Sequence, residues 1–456
     1  MHTAEGASML DAGDIATTAG AVEPRSTALL VLEVFAWLLA IFPARLVFGD
    51  IGYFGSPASL AGLVAFGLWA TGALRPELLA RRVLPIRVAA VLFWLPALIS
   101  YAVLHMHSVP GDEVNAADRW LLFSLVWTGV MLLGAEGLRS LQEAKRLLRV
   151  VVSAAAFSAA VAIAQSRLDF DLTVWLAKIP GLQVQGVLQS VLTRGGLERP
   201  AGTASHPIEF GVTMCAVAGF AIVLAFHDVA WTRWRRWCCL GLIGLAIPMA
   251  LSRSAIIGGA IVLAFWMVGA SSKHRRTTML GLLGGAVVVF MGSPGLIGTI
   301  KQYFLNAGSD SSITTRTSDY AAVATNVRSS PLIGRGPATF LPKYRILDNT
   351  WLTFIIEQGV LGVMALFGFY CVPWYLGERV RNAVQDPMAR AVGMASMGLT
   401  LLLIIESATF DFWAYPMAPG FLVLLMGCIG AYATISLDEQ RDLSGDADAE
   451  AGLAAS

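Results

Sequence analysis

The sequence predicts an all-α polytopic membrane protein with about twelve transmembrane helices. Three observations lead there. Of 456 residues, 56% are hydrophobic and only 14% charged, whereas soluble domains carry nearer a quarter charged residues. Long apolar runs recur, among them 121–134, 150–165, 212–226, 255–270 and 351–376. A helix needs ~20 such residues to cross ~30 Å of hydrocarbon, where its backbone must satisfy itself, and these runs lack the alternation of barrel strands. Finally, arginine and lysine cluster between alternate runs.

Taken in order, the spans fall at roughly 28–48, 57–74, 86–104, 119–135, 147–165, 207–226, 237–252, 254–270, 277–292, 350–376, 389–408 and 416–435. The basic clusters are Arg75, Arg81, Arg82 and Arg87; Arg139, Lys145, Arg146 and Arg149; Arg233, Arg235 and Arg236; Lys273, Arg275 and Arg276; and Arg379, Arg381 and Arg390. Positive residues stay cytoplasmic in short loops. These clusters, with Arg25 and Arg441, hold more than half of the 32 lysines and arginines, and both termini are expected on their side. Residues 1–27 read as a cytoplasmic tail without a basic-then-apolar leader. Residues 28–292 carry helices 1–9, 293–349 form a large outer loop, and 350–435 carry helices 10–12. The acidic, small-residue stretch 436–456 reads as a disordered cytoplasmic tail.

Two outer loops are long. In residues 166–206, the semi-apolar stretch 172–192 broken by Pro180 and Gly181 suits a helix or helix pair in the interface. The other, from Ser293 to Asp348, far exceeds the usual ~4–6 residues, and such loops are usually functional. A short helix is expected over residues 318–329.

Composition also narrows the function classes. A net charge of +1 gives no field that would gather nucleic acid. The five cysteines (Cys215, Cys238, Cys239, Cys371 and Cys428) have neither metal-ligand spacing nor a disulfide framework. No phosphate-binding loop, dinucleotide fingerprint, zinc motif or nucleophile elbow is present, so no metal or cofactor is expected.

Four outward segments hold the candidate chemistry: Arg199–Gly211 with His206 and Glu209; Leu251–Ser254 with Arg253; Arg316 followed by Pro331–Gly336; and Asp348-Asn349, then Glu357, Gly359 and Gly362. Arg253 sits between two apolar runs, where an arginine is costly unless paired, hydrated or binding an anion; the plainer reading is an interfacial anchor. Arg119 at the start of span 4 is a weaker candidate. Several guanidiniums on one face suit a diphosphate or anionic sugar, because their planar forks pair with phosphate oxygens. His206 could act as a base or cap the helix after it. Glu209 could pair an arginine. Asp348 could be a base or a helix cap. Glu357 should have a partner at its depth, and Gly359 and Gly362 suit close helix packing. Glu33 and Glu406 are further buried acids.

These segments together resemble the O-antigen ligase and polysaccharide polymerase superfamily. The resemblance rests on an arginine and glycine followed by His-Pro (Arg199, Gly202, His206, Pro207) and Ser252-Arg253 before a small-residue helix. It continues with Arg316 in a large loop, the Pro331–Gly336 turn, and Asp348-Asn349 followed after nine residues by Gly359 and Gly362. It spans residues 195–365 by motif and the whole chain by topology. Ligases place histidine where this chain has Asp348, which tilts the reading toward polymerases. The resemblance implies a glycosyltransferase of GT-C-like architecture in the cytoplasmic membrane. Its donor would be a polyprenyl-diphosphate-linked glycan and its acceptor a sugar hydroxyl, with a flippase and a chain-length regulator as partners. Arg253 and Arg316 would bind the diphosphate, and Arg199 would assist. Asp348 would orient or deprotonate the acceptor, with His206, Glu209, Asn349 and Arg119 contributing to binding. A ligase is the alternative; a transporter would carry its ionisable residues nearer the bilayer midplane.

Overall fold

A computed structural model of the chain describes residues 25–75, 79–186, 191–194, 197–292, 298 and 311–454. Its helices are α1 (Thr27–Ile41), α2 (Pro57–Leu74), α3 (Leu84–Leu104), α4 (Gly111–Glu136), α5 (Leu141–Arg167), α6 (Leu172–Leu176), α7 (Pro207–His227), α8 (Arg233–Met249), α9 (Arg253–Gly269) and α10 (Ser272–Gly292). After the large loop's first part come α11 (Ser311–Val327), α12 (Thr350–Glu357), α13 (Gly359–Ala383), α14 (Pro387–Glu406) and α15 (Met417–Ala454). Four short strands, β1 (Leu46–Phe48), β2 (Leu182–Val184), β3 (Val191–Arg194) and β4 (Leu197–Pro200), and two 3-10 helices (Gly49–Phe54 and Phe412–Ala414) complete the described elements.

Eight helices, α2, α3, α4, α5, α7, α13, α14 and α15, are long and apolar enough to cross a membrane; α1 and α9 are apolar but shorter. The chain is an all-α polytopic membrane protein. Its outward side chains include Val64, Val91, Leu95, Met364 and Phe367, all exposed, which suits hydrocarbon rather than water. Spans 7 and 9 of the twelve expected exist as α8 and α10 but fall outside the eight. Each opens on a basic cluster that leaves a shorter apolar stretch. Nearly every described residue of α10 is exposed. The centre of the bundle is α7 and α15, flanked by α4, α5 and α14.

At one end of the bundle the predicted basic clusters meet buried acids. Arg87 grips Glu136, Arg146 pairs with Glu33 at 2.6 Å, and Arg149 pairs with Asp228 at 2.6 Å. Glu33 is thereby accounted for, with Arg25 as a second partner.

Local departures from the sequence reading each have a cause. Helix α1 stops at Ile41 rather than near residue 48, because Phe42 is extended and Pro43 follows. The chain then forms β1, which pairs antiparallel with β2. The expected interfacial helix over 172–192 shrinks to α6. It ends before Gly181, whose φ of +89° turns the chain into β2, and a β3–β4 hairpin follows. The expected loop helix is longer, Ser311–Val327. In the described residues α15 runs on past the apolar span to Ala454, through alanine, glutamate, glutamine and leucine, which favour helix. Span 10 is broken at Gln358 into α12 and α13, and that break builds the site. Residues 1–24 lie outside the described residues.

Candidate active site

Gly359 at the break has φ +66°, a left-handed conformation that costs other residues ~1–2 kcal/mol. The Pro331–Gly336 turn docks into the gap. The Arg335 and Gly336 amides donate to the Ile356 and Glu357 carbonyls, and the Val360 and Leu361 amides donate back to those of Pro331 and Leu332. The turn thus supplies the bonds that the interrupted helix lacks. Gly334, at φ +78°, lies against the Glu357 backbone, and Gly359 against that of Leu332. Glu357 finds its partners in backbone, the amides of Ala338 (2.8 Å) and Phe340 (3.2 Å), rather than in a cation at hydrogen-bond distance. Gly362 makes room for Gln358 of its own helix rather than for a neighbouring one.

The rest of the turn is tied to the start of α4. Arg335 pairs with the buried Glu113 at 2.7 Å, Tyr344 donates to the same carboxylate, and Lys343 pairs with Asp112. Arg345 pairs with Asp319 of α11. Three of the loop's cations are therefore held by acids.

Asp348 stands two residues before the start of α12. The cap of that helix is Asn349, whose Oδ1 accepts from the Leu352 amide at 3.1 Å while its Nδ2 donates to the Ala408 carbonyl at 3.0 Å. Capping, one of two readings of Asp348, thus belongs to its neighbour. Asn349 also fixes α12 to the α14–α15 loop. Thr350 strengthens the join, its hydroxyl donating to the Phe410 carbonyl and its amide to that of Ser407. The loop thereby brings Asp411 beside Asp348. Both line a cavity of about 210 Å³ that is also walled by Trp120, Arg345, Trp413 and Tyr415. Burial pushes the Asp411 carboxyl up to about 7; the Thr353 hydroxyl, at 3.4 Å, opposes this and the charge of Asp348 adds to it. Two carboxyls lining one cavity, one of them pushed up by burial, suit acid–base chemistry.

The start of α7 lies beside Tyr415 of that cavity. His206 caps it, its Nδ1 accepting from the Ile208 amide at 3.1 Å, which leaves the ring proton on Nε2. Burial, then the charges of Arg199 and Arg45, pull His206 down to about 4, so it is neutral at neutral pH. Its ring lies 5.9 Å from that of Tyr415. Burial, followed by the carboxylates of Glu209, Asp348 and Asp411, pushes Tyr415 up to about 12. Glu209 is fully buried and accepts from the amides of Ser205 (2.8 Å) and Met417 (2.7 Å), joining the starts of α7 and α15. It does the work of a capping box across two helices.

Arg199, on β4, is buried and donates from Nε to the Ala250 carbonyl at 3.1 Å. It holds the α8–α9 turn, in which Leu251 has φ +46° and from which Arg253 opens α9. Ser254, the next residue, is 2.7 Å from Thr409, whose hydroxyl reaches Glu406 at 3.2 Å. The Arg253 turn is therefore bound to the loop that carries Asp411. Arg119 is exposed on α4 beside Trp120. Arg316 belongs to α11, but its side chain lies outside the described residues, as do Lys301 and Asp310. Among the described residues no cluster of three His, Cys, Asp or Glu could hold a metal, and all five cysteines are free.

The family model described as O-antigen ligase matches residues 238–367. Over that stretch the chain is similar to the O-antigen ligase and polysaccharide polymerase superfamily. The matched stretch runs from α8 into α13 and takes in Arg253, Arg316, the docked turn and Asp348. Superfamily members are membrane enzymes of the glycosyltransferase kind that work on lipid-linked glycan donors and glycan acceptors. Arg45, Arg199, His206 and Asp411 lie outside the match and join the site only through the fold. No curated protein matches the chain.

Sequence reasoning missed Asp411, Tyr415, Arg45 and Trp120. Asp411 and Tyr415 sit in the α14–α15 loop among aromatics, and a carboxylate there was the available signal. Arg45 was absorbed into an apolar span that in fact ends at Ile41.

Proposed function

We propose that the protein polymerises polyprenyl-diphosphate-linked oligosaccharide repeat units on the outer face of the cytoplasmic membrane, with both termini cytoplasmic. The acceptor hydroxyl attacks the anomeric carbon of the donor. The new glycosidic C–O bond forms as the bond to the diphosphate breaks, the polyprenyl diphosphate leaves with the bonding pair, and the hydroxyl proton passes to Asp348. Arg253 and Arg316 bind the diphosphate and stabilise its growing charge, while Arg199 positions the Arg253 turn. The already activated donor removes any need for a nucleotide site. A flippase would supply the donor and a chain-length regulator would act on the product.

The observation that carries the reading is the pairing of Asp348 with Asp411 in one cavity next to the turn bearing Arg253. Asp348, standing where the ligases carry histidine, is what tilts this reading toward chain extension rather than transfer to a different acceptor. The test is purified protein in lipid nanodiscs with lipid-linked repeat units as the sole glycan. A ladder of products spaced by one repeat unit is expected. Transfer only when a separate lipid or protein acceptor is added would assign the ligase reaction instead.

A further inference from the structure

The cavity that holds the two carboxylates has an aromatic wall that the proposed chemistry leaves unused. Trp120 of α4 and Trp413 of the α14–α15 loop both line it, and both are held from behind. The Trp120 ring stacks on Phe93 at 5.3 Å, Phe93 lies 4.7 Å from Trp413, and Trp127 lies 5.0 Å from Trp413. The Trp413 Nε1 donates to the Tyr370 hydroxyl at 2.9 Å, and Ser407 donates to the same oxygen at 3.0 Å. The indoles therefore cannot swing, and Trp413 is two residues from Asp411 in the same turn.

We propose that this cavity is the acceptor-sugar subsite, with Trp120 and Trp413 taking the C–H face of one pyranose ring and so presenting its hydroxyl to Asp348 and Asp411. The inference rests on the polymerase reading above. A pyranose has an apolar face ringed by hydroxyls. An aromatic ring attracts polarised C–H groups with its electron-rich face, and the carboxylates beside it suit the ring of hydroxyls. A cavity of about 210 Å³ is on the scale of a sugar ring, and its carboxylates suit hydroxyls rather than a polyprenyl chain, which would want an apolar wall.

The test uses the full-length protein in nanodiscs, saturating lipid-linked donor, and an alkyl glycoside of the repeat unit as acceptor. The glycoside can accept but has no diphosphate to lose. Trp120→Leu should raise the acceptor KM ~3–10-fold with kcat and donor KM within about twofold of wild type, and Trp120→Phe should recover most of the loss. Trp374→Leu, which packs on Phe265 away from this aromatic cluster, should leave the acceptor KM unchanged. An unchanged acceptor KM in Trp120→Leu, an equal rise in Trp374→Leu, or a rise in donor KM alone each overturns the subsite. Hydroxyl-radical footprinting of the wild type needs no variant: the glycoside should protect Trp120 and Trp413 but not the exposed Trp234, and no protection overturns the proposal as well. A wild-type protein that never uses the glycoside, yet transfers glycan to another acceptor, marks failure of the polymerase reading itself.

Discussion

Replacing Asp348 with asparagine separates chemistry from folding, because the first turn of α12 is closed by Asn349. Removing that cap by Asn349→Ala would lose ~0.5–2 kcal/mol for the bond to Leu352 and ~0.5–1.5 kcal/mol for the bond to Ala408. The sum, ~1–3.5 kcal/mol, should show as a lower melting temperature. Asp348→Asn leaves both bonds in place, so the protein should insert and melt like wild type. If Asp348 accepts the proton, turnover should nevertheless fall ~10²–10⁴-fold. A second effect follows at Asp411, whose carboxyl stands at about 7 through burial first and the Asp348 charge in addition. Without that charge it should release its proton at lower pH, and the pH profile of any residual activity should move down accordingly. The assay is extension of purified lipid-linked repeats across pH, with donor binding as control. Wild-type extension by Asp348→Asn would refute the base, and an unmoved profile in a weakened variant would refute the coupling.

Three further outcomes are expected. Arg253→Ala should abolish polymer while the protein still inserts, and Arg253→Lys should restore only part of it, since a point charge loses the bidentate geometry; near-normal polymer from the alanine variant would make Arg253 an interfacial anchor. Gly334→Ala would place a methyl group against the Glu357 backbone at φ +78°, so the docked turn should open and limited proteolysis should cut near residue 334 faster; equal cutting would mean that the turn is not what seals the helix break. A carboxyl raised in the folded state binds its proton more tightly there than in the unfolded chain, so its contribution to stability falls as pH rises through the ordinary carboxylate range and is lost above about 7. Asp411→Asn should therefore melt higher than wild type above that pH and equal to it in acid, and a variant that melts lower at every pH would contradict this sign.

The membrane class and the basic clusters were legible in the sequence because hydrophobic run length and arginine placement are local properties. The Arg253 turn, the Pro331–Gly336 turn and the Asp348-Asn349 pair were legible as motifs, but their relations were not. Nothing local says that Asn349 rather than Asp348 caps α12, since both residues cap well. Nothing local says that Glu209 serves Met417, on a distant part of the chain. Span 10 reads as one apolar run from 350 to 376; its break depends on Gly359 finding the Leu332 backbone, a tertiary event. Asp411 gained meaning only when Thr350 and Asn349 bound its loop to α12.

The docked turn also separates two kinds of freedom along the chain. With Pro331–Gly336 sealed into the break between α12 and α13, the segment after it is tied to α4 through Glu113 and Asp112 and to α11 through Asp319, so the path to Asp348 is anchored from residue 311 onward. Insertions, deletions or exchanges before α11 should then change what the surface meets without displacing the carboxylate pair. On the proposed function, a lineage could in this way try new glycans against a fixed carboxylate pair, and a protein engineer could graft loops between relatives at the same seam.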